Sequence, residues 1–369
     1  MEMTEDIEIQ ESGKAVIEDI PPRHRWHMLQ NTILLLLLAA GLYLLVPKFI
    51  GDREMLAVVR HANFLMIPVA LAIETLSMLC ICRLYYEVMN LGSGGLSFPR
   101  VSLIYMSAYA FGHIVPGGNA GTLYLSYREF RREGVSKSLA AKTLVISNLA
   151  YSAGLIALLI SGLLLSLATG RLPLSFNVSA LVISSGAILF VLFCVYVLRK
   201  PPLLRRISLA SLHALQSFRL FRAVNNSEVE SWVADIGDYV LCMFRDRSRL
   251  IQICGCGVGF WLFDLACLYT IFVAIGHPIN PGILMLCYTV ADIVGSLPLT
   301  PAGLGIFEVS LGAMLYAFGY PKEVLATAIL GFRFFSFWLC TMAGGGCYLA
   351  LMLQRRKRRL GGEVRGSSA

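Results

Sequence analysis

The sequence predicts an all-α integral membrane protein of about eight transmembrane helices, with two broken or re-entrant helical hairpins set in an inverted repeat. Three observations lead there: apolar runs of bilayer length, Gly/Pro interruptions in two of them, and a placement of Lys and Arg that fixes sidedness. Of 369 residues, 57% are hydrophobic and 15% charged, with a mean hydropathy of +0.69. Soluble domains average about 45–50% apolar and about 25% charged. The surplus collects in runs close to the ~20 residues that a crossing helix needs.

In chain order, residues 1–28 form a polar tail that carries Glu2, Glu5, Asp6, Glu8, Glu11, Glu18 and Asp19. A secretory signal begins with positive charge, so this segment is read as cytoplasmic. Spans follow near 29–47, 62–90, 139–168, 176–198, 250–276 and 322–352, while 101–127 and 282–319 are apolar but interrupted. The loop 199–249 holds nine Lys or Arg residues, and the tail 354–369 contains Arg355-Arg356-Lys357-Arg358-Arg359. The positive-inside rule puts both in the cytoplasm, together with an N-terminus flanked by Arg23 and Arg25.

Arg128, Arg131, Arg132 and Lys137 ask for the same face. If the first two spans return the chain to the inside, one crossing through 101–127 would put that cluster outside. Two crossings need roughly 40 residues at ~1.5 Å each, more than the stretch holds. The stretch is therefore expected to enter and leave on one face, turning at Pro116-Gly117-Gly118. The same reasoning makes 282–319 re-entrant from the outer face, broken at Pro298 and Pro301-Ala302-Gly303, although its length also admits two short crossings.

A shift of 185 residues lays Pro116 on Pro301, Gly118 on Gly303, Gly134 on Gly319, Lys137 on Lys322 and Ala141 on Ala326. The halves 62–168 and 250–352 each run helix, broken hairpin, helix, and their derived orientations are opposite. Paired interrupted segments in inverted halves point to a transporter-type site near the midplane. Chance identity, or a simple kink, is the alternative. The segment 201–226 repeats apolar residues at helical spacing beside Arg205, Arg206, Arg219 and Arg222. It suits a helix lying in the cytoplasmic interface, or equally one packed on the protein itself.

The net charge of +8 lies between apolar runs, which suits contact with anionic lipid headgroups and gives no reason to expect nucleic acid. Most of the ten cysteines sit inside spans, where a thiol behaves as a small hydrophobe. Cys80-Ile81-Cys82 and Cys254-Gly255-Cys256 lack zinc-type spacing, so no metal or other cofactor is expected. HExxH, Walker and GxSxG signatures are absent as well.

Irregular backbone at membrane depth belongs where it is buried in protein or lines a cavity. Pro116, Gly117, Gly118 and Asn119, with Pro298, Pro301, Gly303 and Gly305, are thus expected to border a binding site. Helix starts freed by such breaks attract anions, a phosphate headgroup among them. Glu308 lies one turn beyond the second break, and Arg333 lies deep in the last span. Intramembrane charges are functional by default. Glu308 suits a cationic headgroup, a coupling proton or Arg333 itself; Arg333 suits a phosphate held bidentately. A purely structural ion pair is the bland alternative. Arg128 stands at the mouth of the first hairpin or merely sets topology. Asp264, Asp292 and His113 are possible coupling groups, and Glu74 and Arg83 lie in the second span with pairings that one sequence does not reveal.

Gly112-His113-Ile114-Val115-Pro116-Gly117-Gly118, Tyr127-Arg128 and Gly134-Val135-Ser136 resemble the membrane region of the lysylphosphatidylglycerol synthase family, also called flippase-like domain proteins. So do residues 297–308 (LPLTPAGLGIFE), Phe332-Arg333 and Phe337-Trp338, the more specific set. The resemblance covers roughly 30–350, and Ala302 departs from it where a second Gly is usual. In bifunctional members this region moves an aminoacylated phospholipid, and a separate soluble domain makes that lipid. No such domain follows here, so the resemblance implies translocation rather than lysyl transfer. Three functions stay open: a lipid translocase of a bacterial or archaeal cytoplasmic membrane, a membrane-embedded lipid-modifying transferase, and an accessory subunit of a lipid-biosynthesis enzyme.

Overall fold

The computed structural model describes residues 58–91, 95–115, 118–169, a few positions between 185 and 206, 246–296 and 300–366. The expected tail 1–28, the span 29–47, most of 176–198, the segment 207–245, Pro116, Gly117 and Pro298 lie outside the described residues. Every described element is helical: α1 Met66–Asn90, α2 Phe98–Ile114, α3 Asn119–Arg132, α4 Lys137–Ala168, α5 Arg247–Ala274, α6 Pro281–Gly295, a single turn Pro301–Gly303, α7 Ile306–Ala317, and α8 Lys322–Arg333. A π-helical segment, Phe334–Leu339, joins α8 to α9, Cys340–Gly366. Residues 354–366 of the expected basic tail thus continue the last helix.

Among the described residues four helices are long and apolar enough to cross a bilayer: α1, α4, α5 and the continuous run Lys322–Arg355. The chain is a multi-pass membrane protein. Its outward faces stay apolar, as at Ile251, Val309 and Met342, each 70% exposed. In water such faces would be a liability; against acyl chains they are the expected surface.

Helix ends follow from local chemistry. Ser136 accepts the Leu139 N–H at the start of α4, Asp246 accepts from Ser248 and Arg249 at the start of α5, and Asn280 accepts from Gly282 and Ile283 at the start of α6. Each satisfies donors that a helix start leaves open. The ends of α3 and α7 are the same device. Val135 N–H reaches Phe130 C=O and Gly134 N–H reaches Arg131 C=O; at an offset of 185, Tyr320 N–H reaches Leu315 C=O and Gly319 N–H reaches Tyr316 C=O. Both glycines are left-handed, at φ 85° and 88°. These are Schellman ends, and the left-handed position favours glycine. The starts of α4 and α8, at Lys137 and Lys322, recur at the same offset.

Glycines also set how closely helices meet. A Cβ on Gly154 of α4 would stand 2.4 Å from the Gly257 carbonyl oxygen of α5, and one on Gly257 would stand 2.5 Å from the Ala150 oxygen. On α9, a Cβ on Gly344 would stand 2.2 Å from the Met106 oxygen of α2. Membrane helices, lacking a hydrophobic drive to associate, use such small residues to gain van der Waals contact. Both interrupted stretches fold back on themselves. Gly112 of α2 faces Thr122 of α3 without room for a Cβ, and Gly303 faces the Gly295 carbonyl oxygen at the end of α6 in the same way.

Candidate functional site

The two interrupted stretches meet α4, α5 and α8 around a cavity of about 410 Å³. Arg333 ends α8, where the π-helical segment begins. Wide turns of this kind commonly mark sites, because they free backbone groups and re-aim side chains. The Arg333 Nε donates to Glu308 Oε1 at 2.6 Å, and Glu308 Oε2 accepts the Gly305 N–H at 2.6 Å. The guanidinium lies 4.2 Å from the centre of the Phe307 ring. Glu308 is spent on this geometry: it does not line the cavity, whereas Arg333 does. Among the described residues the two Nη groups of Arg333 have no partner, so the fork is held by Nε and presents its remaining donors.

Aromatic rings form much of the remaining wall. Tyr288 packs edge-on against Trp261, Phe307 and Phe332 at 6.0–6.3 Å between centroids, and its hydroxyl donates to Asp264 Oδ2. Trp261 Nε1 donates to the Tyr151 carbonyl at 2.8 Å, and the two rings lie 4.6 Å apart. His113 Nδ1 stands 2.8 Å from the Tyr109 carbonyl, its ring between Tyr109 at 4.0 Å and Phe337 at 5.2 Å. Asp292 and Ser296 line the cavity from the end of α6, and Gly118, Asn119 and Gly303 from the breaks. A second cavity of about 360 Å³ shares Tyr109, His113, Asn119, Tyr151 and Asp292 with the first, and adds Asn148 and Thr122. Asn119 Nδ2 donates to Asn148 Oδ1 at 3.2 Å, which ties the first break to α4.

Of the residues expected at a site, Gly118, Asn119, Gly303, Arg333, Asp264, Asp292 and His113 are brought to these walls. Gly305 and Glu308 stand one layer behind, holding Arg333. Pro301 belongs to the single turn beside Ala302, which is left-handed at φ 49°. Arg128 is elsewhere. It bonds Glu129 at 3.2 Å within a separate cluster, where the fully buried Glu129 also receives Arg132 and Arg355, and Glu133 receives Arg100.

Tyr109, Asn148, Tyr151, Trp261, Tyr288 and Ser336, all on the walls, are not among the residues expected at a site from the sequence. A usable signal was present, since Trp and Tyr mid-span carry a polar tip that must find a partner in the protein. Among the described residues, no group of three or more His, Cys, Asp or Glu gathers as a metal site.

The chain matches the family described as the lysylphosphatidylglycerol synthase TM region over residues 32–344. It is similar to proteins described as UPF0104 membrane proteins. One from Methanothermobacter thermautotrophicus is 24% identical over 329 residues, covering 85% of this chain and 92% of that one. A shorter likeness from the same organism is 32% identical over 91 residues, covering 24% of this chain and 27% of the relative. A Pyrococcus horikoshii protein is 31% identical over 97 residues, covering 26% of this chain and 28% of its own length.

Proposed function

We propose that this chain, which belongs to the lysylphosphatidylglycerol synthase TM region family, is a lipid translocase. It would pass the polar headgroup of a phospholipid or related lipid through the cavity while the acyl chains stay in the bilayer. The observation that carries the reading is Arg333, fixed by Glu308 on the cavity wall with donors to spare. A charge at this depth costs about 3 kcal/mol on insertion scales, so it is retained for a task. A guanidinium fork matches the oxygens of a phosphate, and the fixed Nε means that little entropy is lost on binding.

In this reading the hairpins α2–α3 and α6–α7 are re-entrant, and the halves that carry them are inverted repeats opening toward opposite faces. The recurrence of helix ends at an offset of 185 supports this, as does the contribution of both halves to the wall. Basic segments then place both termini in the cytoplasm. Headgroups with a negative charge are the preferred cargo.

The test is leaflet exchange of fluorescent phosphatidylglycerol in proteoliposomes, followed by dithionite quenching. The native chain is expected to exchange lipid without added substrate, and Arg333→Ala and Glu308→Gln to lose exchange at normal expression. Normal exchange by both variants would remove the site assignment. A new lipid species on thin-layer chromatography, without exchange, would favour the transferase reading instead.

A further inference from the structure

Behind the cavity wall, where α1 packs along α5, two carboxyl groups meet. Glu74 is 2% exposed and Asp264 is 6% exposed, and their side chains interact directly. Asp264 lines the cavity; Glu74 does not. The Tyr288 hydroxyl donates to Asp264, and the Cys340 thiol stands 3.7 Å from Glu74 Oε1. Glu74 Oε2 is buried and has no hydrogen-bond partner among the described residues. Among the described residues no Lys, Arg or His forms an ion pair with either carboxyl. The groups facing the pair are Cys267 on α5, Tyr288 and Asp292 on α6, Tyr109 on α2, Tyr151 on α4, Arg333 on α8 and Cys340 on α9. Arg333, the one cation in this set, is already paired with Glu308.

An ionised carboxylate only accepts hydrogen bonds. Two in contact inside protein repel, and neither can donate to the other. A single proton removes both defects: it halves the charge and supplies the donor that the bare Oε2 lacks. Such a pair titrates as a unit. Asp264 offers the route, because it touches both the cavity and Glu74. We infer that Glu74 and Asp264 form a one-proton site, loaded and emptied from the cavity through Asp264, whose proton accompanies an anionic lipid across the membrane. The proton passes between cavity water and a carboxylate oxygen, and no other bond changes. A singly charged lipid and one proton cross as a neutral pair. An anion at Arg333 adds negative charge to the same cavity and so favours the loaded pair, which links the two binding events. The one-proton site stands alone; its coupling to lipid rests on the translocase reading.

Two measurements test this. Infrared difference spectra of the purified chain in phosphatidylcholine nanodiscs should show a deuterium-sensitive protonated-carboxyl band at neutral pH, lost in both Glu74→Gln and Asp264→Asn. Absence of that band in the native chain, or its full retention in both variants, would overturn the site. In proteoliposomes with fluorescent phosphatidylglycerol and clamped voltage, a pH gradient of one unit should sustain about a tenfold leaflet asymmetry, the value for one proton per lipid. An entrapped pH dye should report the accompanying protons. Glu74→Gln should exchange lipid without responding to the gradient. Native exchange indifferent to the gradient would refute coupling while leaving translocation standing. With no exchange under any gradient, the translocase reading and the coupling would fall together, and the infrared band would still decide the site.

Discussion

At the scale of single residues the site is built around Arg333, and its neighbours divide into those that hold it and those that could meet a ligand. Glu308 belongs to the first kind. Losing one partner of a buried pair typically costs about 3–5 kcal/mol, mostly from the charge left behind. Here the side chains are 13% and 19% exposed, so a smaller loss is expected. Thermal denaturation in detergent should show Arg333→Ala with Glu308→Ala less destabilised than the sum of the single changes, the sign of a coupled pair. Additive losses would mean that the pair is not a unit. Ala302 is a second residue-scale case. It is left-handed at φ 49°, a conformation that costs an L residue roughly 1–2 kcal/mol. Ala302→Gly is expected to raise the melting temperature, and a fall would show that the methyl group packs favourably. The two cases also separate what could be read in advance. Arg333 and Glu308 stood out because charge in an apolar run is expensive wherever it points. Tyr151, Trp261 and Tyr288 carried a weaker signal, because the ring alone fits lipid, core or ligand and only its polar tip asks for a partner in the protein. Arg128, expected at the mouth of the first hairpin or as a topological charge, bonds instead the adjacent Glu129, whose burial only the fold reveals.

At the scale of elements the close crossings decide stability. Gly154→Ala or Gly257→Ala places a methyl within 2.4–2.5 Å of a backbone carbonyl oxygen, which cannot be relieved by turning a side chain. Both should destabilise strongly. Gly345→Ala meets nothing within 4 Å on the same kind of helix, and should be neutral or stabilising by up to ~1 kcal/mol through helix propensity. Comparable melting temperatures for all three would contradict close helix contact as the organising feature. Apart from the last helix, which runs past 352 to Gly366, the limits of the described spans were legible to within a few residues, since Pro, Gly and capping side chains act locally. The join between α8 and α9 was not. A π-helical segment lies there within the expected span 322–352, and nothing in residues 334–339 (FFSFWL) differs in composition from an ordinary span.

At the scale of the molecule, two halves with matching helix ends surround one set of cavities. The matching ends were visible in advance as Gly and Pro recurring at an offset of 185. The chemistry was not repeated with it: Arg333 corresponds at the 185 offset to Asn148, a wall residue without charge. Inverted halves require Lys137→Cys and Lys322→Cys to react with a membrane-impermeant thiol reagent from opposite sides, and labelling from one side would dismiss the inversion. The claim that a headgroup passes through this cavity is tested most directly at Ser296, which faces both cavities. A bulky thiol reagent on Ser296→Cys should stop phosphatidylglycerol exchange while leaving the identically treated native chain active. Exchange that continues at the native rate after full labelling would show that lipid crosses by another path.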